Sequence, residues 1–307
     1  MLKIPFKNDN TFATEMKPKI SGTNLNLEFQ NIESSLYKIA ADIPNTISQD
    51  VYNMLISKFE TPTTKKIYQT AIDYLQRAML HFAIYEHTIF LIAQISNDGI
   101  VVKKNENETT IFKYQQDELN NKLITTGWFW INQLIKLMNK NVNFFKCWTH
   151  SEQGKSTKDL PIDINDFKKW LGISDEYFMI NIAWLIKEVW LDCVKSRLAT
   201  PTKTDKIARA VCYEVTGRAC QVLAYQILPE PLRRDIDNEM GKNERTKAAA
   251  EIRERISERF LQKASVYWQD LDLDIKKAEI AANRKNAASQ PILGQRYYNE
   301  NDKFCMV

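Results

Sequence analysis

The sequence predicts a mainly α fold: a multi-helix bundle with one small β-hairpin and extended N- and C-terminal arms. Three observations predict it. Only 8 glycines and 9 prolines occur in 307 residues, where usual usage of about 7% and 5% would give roughly 20 and 15. The chain is nevertheless rich in core-forming residues, with 7 Trp, 12 Tyr and 14 Phe. Apolar residues recur at three and four along most of its length, the spacing of one helix face.

Residues 1 to 25 hold no sustained period and read as an extended arm containing Pro5, Pro18 and Gly22. A first helix begins near Leu27, carries Phe29, Ile32, Leu36, Ile39 and Ala40, and is expected to end before Pro44. A second covers about Ser48 to Phe59. Thr61-Pro62 reads as the entry to a long helix striped with Ile67, Ala71, Leu75, Ala78, Phe82 and Ile89, because proline is tolerated in the first turn. Ser96-Asn97-Asp98-Gly99 stops it. Ile100–Val102 and Thr109–Ile111 flank a polar tip, Lys103 to Glu108, which predicts the hairpin near 100–111.

Helical spacing returns from Lys113 to about Met138, with Gly127 as a kink or close-packing point. A polar loop follows from Thr149 to Asp159, then a short helix from Ile164 to Leu171. Ser174-Asp175-Glu176 is a helix start, a hydroxyl cap followed by acids that suit the positive helix end. Further helices are expected from there to Val194 and from Thr204 to Leu228, the latter ended by Pro229-Glu230-Pro231. One long pattern with many Arg/Glu pairs runs from Lys242 to Asn283 and reads as a solvent-bridging or subunit-contacting helix. The organisation expected is an N-terminal arm (1–25), a helical body (26–283) and a C-terminal arm (284–307).

Composition narrows the function. The net charge is +4 (42 basic against 38 acidic residues) and is spread along the chain, weaker than a general nucleic-acid coat shows. Cys147, Cys193, Cys212, Cys220 and Cys305 form no CxxC pair, which predicts free thiols and a reducing compartment. The first residues, MLKIPFKNDNTF, lack the apolar stretch of a signal peptide, and no apolar run approaches a membrane span.

No catalytic set, metal site or cofactor site emerges. Gly154-Lys155-Ser156-Thr157 resembles part of a phosphate loop, but Thr149 stands where its first glycine belongs and Pro161 soon follows. His81 and His87 are six apart on one helix, about 120° from each other round the axis, so they read as core or interface histidines. Cys212 and Cys220 read as small buried hydrophobes, and Asp270 with Asp274 as a solvated face. Trp128-Phe129-Trp130-Ile131 point round most of a helix. Either a neighbouring subunit or an adjacent helix of the same chain must cover part of them. The candidate interaction residues are therefore Trp128 and Trp130, Lys103 and Lys104 at the hairpin tip, and Tyr297, Tyr298 and Phe304 in the C-terminal arm.

Five segments occur in a recognisable order: YLQRAMLHFAIYEHTIFLIAQISNDGIVV (Tyr74–Val102), WFWINQLIKLMNKN (Trp128–Asn141), FFKCWTHSE, LPIDINDFKKWLGIS (Leu160–Ser174), and ILPEPLRRDI followed by KAAAEIRERI (Ile227–Ile256). In that order, over roughly Tyr74 to Ile280, the chain resembles an uncharacterised virion protein family of Bacteroidota phages and prophages, including crAss-like phages. It departs from that family in having more lysine and asparagine. The resemblance implies a structural, non-enzymatic role, a head-to-tail connector (adaptor ring) subunit in the virion, made in the bacterial host cytoplasm. It further implies a homo-oligomeric ring of twelvefold symmetry, with portal, connector and tail proteins as partners. DNA would pass through the lumen without specific binding. The alternative expectation is a helical nucleic-acid-binding adaptor, motivated by the basic balance and interleaved aromatics.

Overall fold

A computed structural model describes residues 2–7, 11–20, 29–61, 64–96, 99–102, 113–239 and 247–289. Its helices are α1 (Phe12–Met16), α2 (Phe29–Ile47), α3 (Gln49–Glu60), α4 (Lys66–Ile92), α5 (Lys113–Lys140), α6 (Lys146–His150), α7 (Glu152–Ser156), α8 (Ile164–Leu171), α9 (Glu176–Val189), α10 (Asp205–Val222), α11 (Glu230–Glu239) and α12 (Lys247–Ser289). They build two hydrophobic cores in succession. The first gathers buried residues from Phe6 to Trp148, the second from Ile162 to Leu271.

The first core is centred on α4 and α5, which pack against each other. Leu75, Ala78, Met79 and Ala83 of α4 and Ile131, Leu134, Ile135 and Met138 of α5 are fully buried there. Gly127 is the close-packing point: a Cβ on it would lie 2.5 Å from the Phe82 ring, which occupies the space a side chain would need. α2 packs on α4 and buries Ile32, Leu36, Ile39, Ala40, Ile43 and Ile47 in the same core. It does not stop before Pro44. The helix passes through that proline, which sits buried between Ile43 and Ile47, so burial on either side offsets the loss of a single N–H.

The N-terminal arm requires correction. Residues 2–7 and 11–20 lie on their own body, with Phe6, Phe12, Met16 and Ile20 buried and Phe6, Phe12 and Phe29 in edge-to-face contact. Tyr52 donates its hydroxyl to Lys3 O at 2.7 Å, and Gln76 Nε2 donates to Pro5 O and to Glu15 Oε1. Lys19 pairs with Asp73 at 2.7 Å, and Arg77 donates to the same carboxylate.

Burial alone would raise the Asp73 carboxyl. Its hydrogen bonds from Lys19 and Arg77 outweigh that and hold it below the ordinary value of 3.8. A group depressed on folding adds stability above its unfolded pKa and loses it as pH falls through the folded one. We therefore expect the N-terminal segment to loosen as pH drops below about 4, with Asp73→Asn costing about 0.5–1 kcal/mol at pH 7 after solvent screening. Limited proteolysis within residues 2–20 across pH 7 to 3 measures this; a variant as pH-sensitive as the parent would contradict it.

The hairpin also requires correction. The body is an all-α bundle, and every buried residue described in its two cores lies on a helix or a segment beside one. The short segment Ala93–Ser96 at the end of α4 pairs antiparallel with Gly99–Val102, a partner the sequence did not lead us to expect. The expected tip and second strand lie outside the described residues.

In the second core, α10 and α12 make the most extensive helix contact. Gly217 lets them approach: Ser257 donates its hydroxyl to Gly217 O at 2.7 Å, and a Cβ on Gly217 would lie 2.7 Å from Leu261 Cγ. Arg253 of α12 reaches the end of α10 and donates to the carbonyls of Cys220 and Leu223, supplying donors to acceptors that a helix end leaves unpaired. Leu223 is extended, so α10 ends earlier than the expected Leu228. α8 has the expected bounds, opened by an Asp163/Asp166 capping box and ended at left-handed Gly172. α9 is followed by a wider, π-type turn over Trp190–Lys195, and Pro231 sits in the first turn of α11.

Candidate assembly surface

The expected interaction residues separate into two groups. Trp128 and Trp130 are described, and helices of the same chain cover them. Trp128 stacks on Tyr177 of α9 at 4.4 Å between ring centroids and meets Phe82 edge-on. Trp130 packs on Tyr74 and carries the Arg77 guanidinium over its ring at 4.8 Å. Ile131 faces the core and Phe129 faces solvent, 51% exposed. Of the two covers expected for this aromatic run, the adjacent helix therefore accounts for the tryptophans and leaves Phe129. Lys103, Lys104, Tyr297, Tyr298 and Phe304 lie outside the described residues.

Trp128 belongs to a polar seam that joins the cores. Asn132 of α5 accepts from Tyr177 N at 2.9 Å, and Asn139 donates to Glu176 at 3.3 Å while accepting from Trp148 Nε1 at 2.8 Å. Asp175, rather than Ser174, caps α9 by accepting from Phe178 N at 2.8 Å. Burial pushes the Asp175 carboxyl up, opposed by Phe178 N–H, Asn132, Arg233 and Lys136; burial also raises Glu176, with Lys136 opposing. These groups converge, but on one another. They lock α5 to α9.

The remaining motifs are structural. Gly154 lies within α7, and its N–H is taken by Ser151 Oγ at 3.0 Å, so the expected polar loop is partly helical and that N–H is not turned outward to an anion. His81 is buried with Nδ1 2.7 Å from Arg77 O, and burial lowers its pKa, favouring the neutral ring. Glu86 pairs instead with Lys38 of α2. Among the described residues no group of three or more His, Cys, Asp or Glu is placed to hold a metal ion. Burial raises the Cys212 thiol and pushes Cys220 up to about 11, so both stay protonated and unreactive at neutral pH. None of the described helices is long and apolar enough to cross a membrane.

What the sequence reading missed lies on α9 and α12. The core side of α12 is Ile252, Ile256, Ala264, Trp268 and Leu271, all buried. Val266, Leu273 and Ile280 recur at intervals of seven, which places them about 160–200° round the helix from Ala264, opposite the core. Each is more than half exposed. From Lys276 to Arg284 every residue is exposed, so the helix projects beyond the body with no face covered by described residues. A second apolar pair, Trp184 and Leu191, is exposed on α9 and the wide turn after it. The seven-residue spacing was legible in the sequence, but only burial separates this outer stripe from the inner one.

A model for a family of unknown function (DUF6712) matches residues 43–158. That match spans the first core from Ile43 onward and stops before Ile162, where the second begins. No curated protein and no solved structure matches the chain.

Proposed function

We propose that the chain is a structural virion protein, a ring subunit of the head-to-tail connector of a tailed phage, lying between portal and tail. The observation that carries this reading is the division of exposed apolar surface between separate helices of one body: Trp184 and Leu191 on one, Val266, Leu273 and Ile280 on another. A closed ring is built from heterologous contacts, in which one surface of a subunit meets a different surface of the next. Two unlike sets of exposed apolar residues on a braced helical body supply candidates for such a pair. The ordered resemblance to phage virion proteins supports the same reading.

The rest of the molecule is compatible with it. Both patches sit on helices of the second core, and the packing of α9 and α12 against α10 keeps them at a fixed separation, as ring closure requires. A net charge of +4 over 307 residues provides little attraction for a passing duplex, since non-specific DNA affinity grows with the number of phosphates neutralised. The test is the assembled state of the full chain, read by native mass spectrometry as concentration rises. A discrete ring species is expected; a monomer at every concentration would overturn the reading.

A further inference from the structure

The two exposed apolar sets sit on elements that one side chain joins. Past Val189, α9 widens into the π-type turn of Trp190–Lys195, and Leu191 of the first set rides on that turn. A π-type turn closes hydrogen bonds one residue further along the chain than an α-helix does, and it is rare outside isolated widenings of this kind. Regular α spacing is the alternative for the same residues. Each residue turns an α-helix by about 100°, so taking up the extra residue re-aims the side chains in and beyond the widening. The direction of Leu191 therefore depends on what holds the turn wide.

Two side chains hold its far end. Ser196 donates its hydroxyl to Asp192 O, and Arg197 Nη1 donates to Cys193 O at 2.9 Å, which supplies donors to carbonyls that a helix end leaves unpaired. Arg197 then reaches α12. Its Nε donates to Asp272 Oδ1 at 3.0 Å, and its guanidinium lies over the Trp268 ring at 5.0 Å. Cys193 is two residues from Leu191, and Asp272 is next to Leu273. One guanidinium thus spans from the turn that carries Leu191 to the helix that carries Val266, Leu273 and Ile280. Arginine suits this place, because its planar fork binds two acceptors in fixed directions while its face stacks on an aromatic ring, and a lysine ammonium has no such plane.

We propose that Arg197 is a positioning strut: it holds the wide turn against α12 and thereby fixes the angle between the two contact surfaces of the subunit. In a closed ring that angle sets the copy number, since each contact must rotate the next subunit by one equal share of a full turn. The tolerance is narrow, because rings of ten and eleven copies differ by only about 3° per contact. This consequence rests on the ring reading; the strut itself belongs to the isolated chain and stands apart from it.

Three full-length variants test the proposal. Arg197→Lys keeps a positive charge near Asp272 but gives up the fork, and Asp272→Ala breaks the strut from α12 without altering the turn's own sequence. Lys206→Gln removes a different ion pair to α12, that with Asp274, and is the control. Hydrogen exchange at a monomeric concentration is expected to show amides of residues 193–198 exchanging about fivefold faster or more in the first two variants, because a lost charged hydrogen bond lowers the cost of local opening. The control should match the parent. Native mass spectrometry at assembly concentration is expected to give one copy number for parent and control, and a spread of neighbouring copy numbers for the two strut variants. Unchanged exchange in Asp272→Ala, or an equal rise in the control, would overturn the strut. Faster exchange with a single copy number retained would overturn its role in setting the ring angle. Faster exchange in a chain that never makes rings would leave the strut intact and remove the ring reading.

Discussion

Gly217→Val is expected to lower the unfolding free energy by about 3 kcal/mol, at the upper end for an overpacked core position. The position is buried, and its Cβ would lie 2.7 Å from Leu261 Cγ, 2.8 Å from Leu261 Cδ2 and 3.2 Å from the Ser257 carbonyl. Leu261 can rotate away, but the Ser257 carbonyl is backbone and moves only if α12 shifts. That shift strains the hydrogen bond from Ser257 Oγ to Gly217 O, whose donor is fully buried, and draws Arg253 away from the end of α10. Gly217→Ala is expected to cost less, because alanine regains about 1 kcal/mol of helix propensity. Denaturant midpoints measure both, and hydrogen exchange locates them. Amides of α10 and α12 should lose protection before those of α4 and α5, since α10 and α12 belong to the second core and α4 and α5 to the first. A valine variant as stable as the parent would mean that the helices do not pack at this distance.

The second large effect concerns assembly. Trp184→Asp and Leu273→Asp each place a charge in the middle of one exposed patch. Both residues are more than half exposed, so each variant is expected to fold with a melting temperature close to that of the parent, as surface substitutions usually do. Each variant alone should lose ring assembly, because a heterologous contact needs both of its unlike surfaces intact. An equimolar mixture retains one intact patch on each kind of chain. It can therefore form one good contact and no second, and should stop at dimers. Sedimentation velocity distinguishes the outcomes. Rings from either variant alone would show that its patch lies outside the contact. A mixture no larger than monomer would show that the two patches do not meet each other.

Much of the fold was legible because it is written locally. α8 was readable to its end residues, since a short amphipathic turn lies between clear start and stop residues. α3 and α5 followed from uninterrupted three-and-four spacing. The failures share a different cause. The N-terminal segment has apolar residues at 6, 12, 16 and 20 but no run, and what holds it are Tyr52, Asp73 and Gln76, dozens of residues away in sequence. Pro44 looked like a stop because its local penalty is visible and the burial of Ile43 and Ile47 is not. α10 was drawn too long because Leu223 still fits the helical period, whereas the reach of Arg253 from α12 that helps end the helix has no local signature. The pairing of Gly99–Val102 with Ala93–Ser96 was missed for a similar reason: Ala93–Ser96 continues the apolar pattern of α4, and only pairing distinguishes it.

The interaction surface divides the same way. Trp128 and Trp130 attracted notice as large residues in an impossible row, and the chain's own α4 and α9 resolve most of that row. The stripe on α12 is made of ordinary aliphatic residues among charges, and it becomes conspicuous only once Trp268 and Leu271 are known to face the other way. The charge pattern did mark α12 as a long helix with much of its surface in solvent, one part of the expectation that charge alone can carry.

The account rests on the claim that this body is made to be held by copies of itself through unlike surfaces. Native mass spectrometry of the unmodified full-length chain, joined to end-on electron microscopy of the same sample, addresses that claim most directly. A single species of fixed copy number with closed rotational symmetry is the predicted result. A monomer that persists at high concentration, or a two-fold dimer in which one patch meets its own copy, would contradict it.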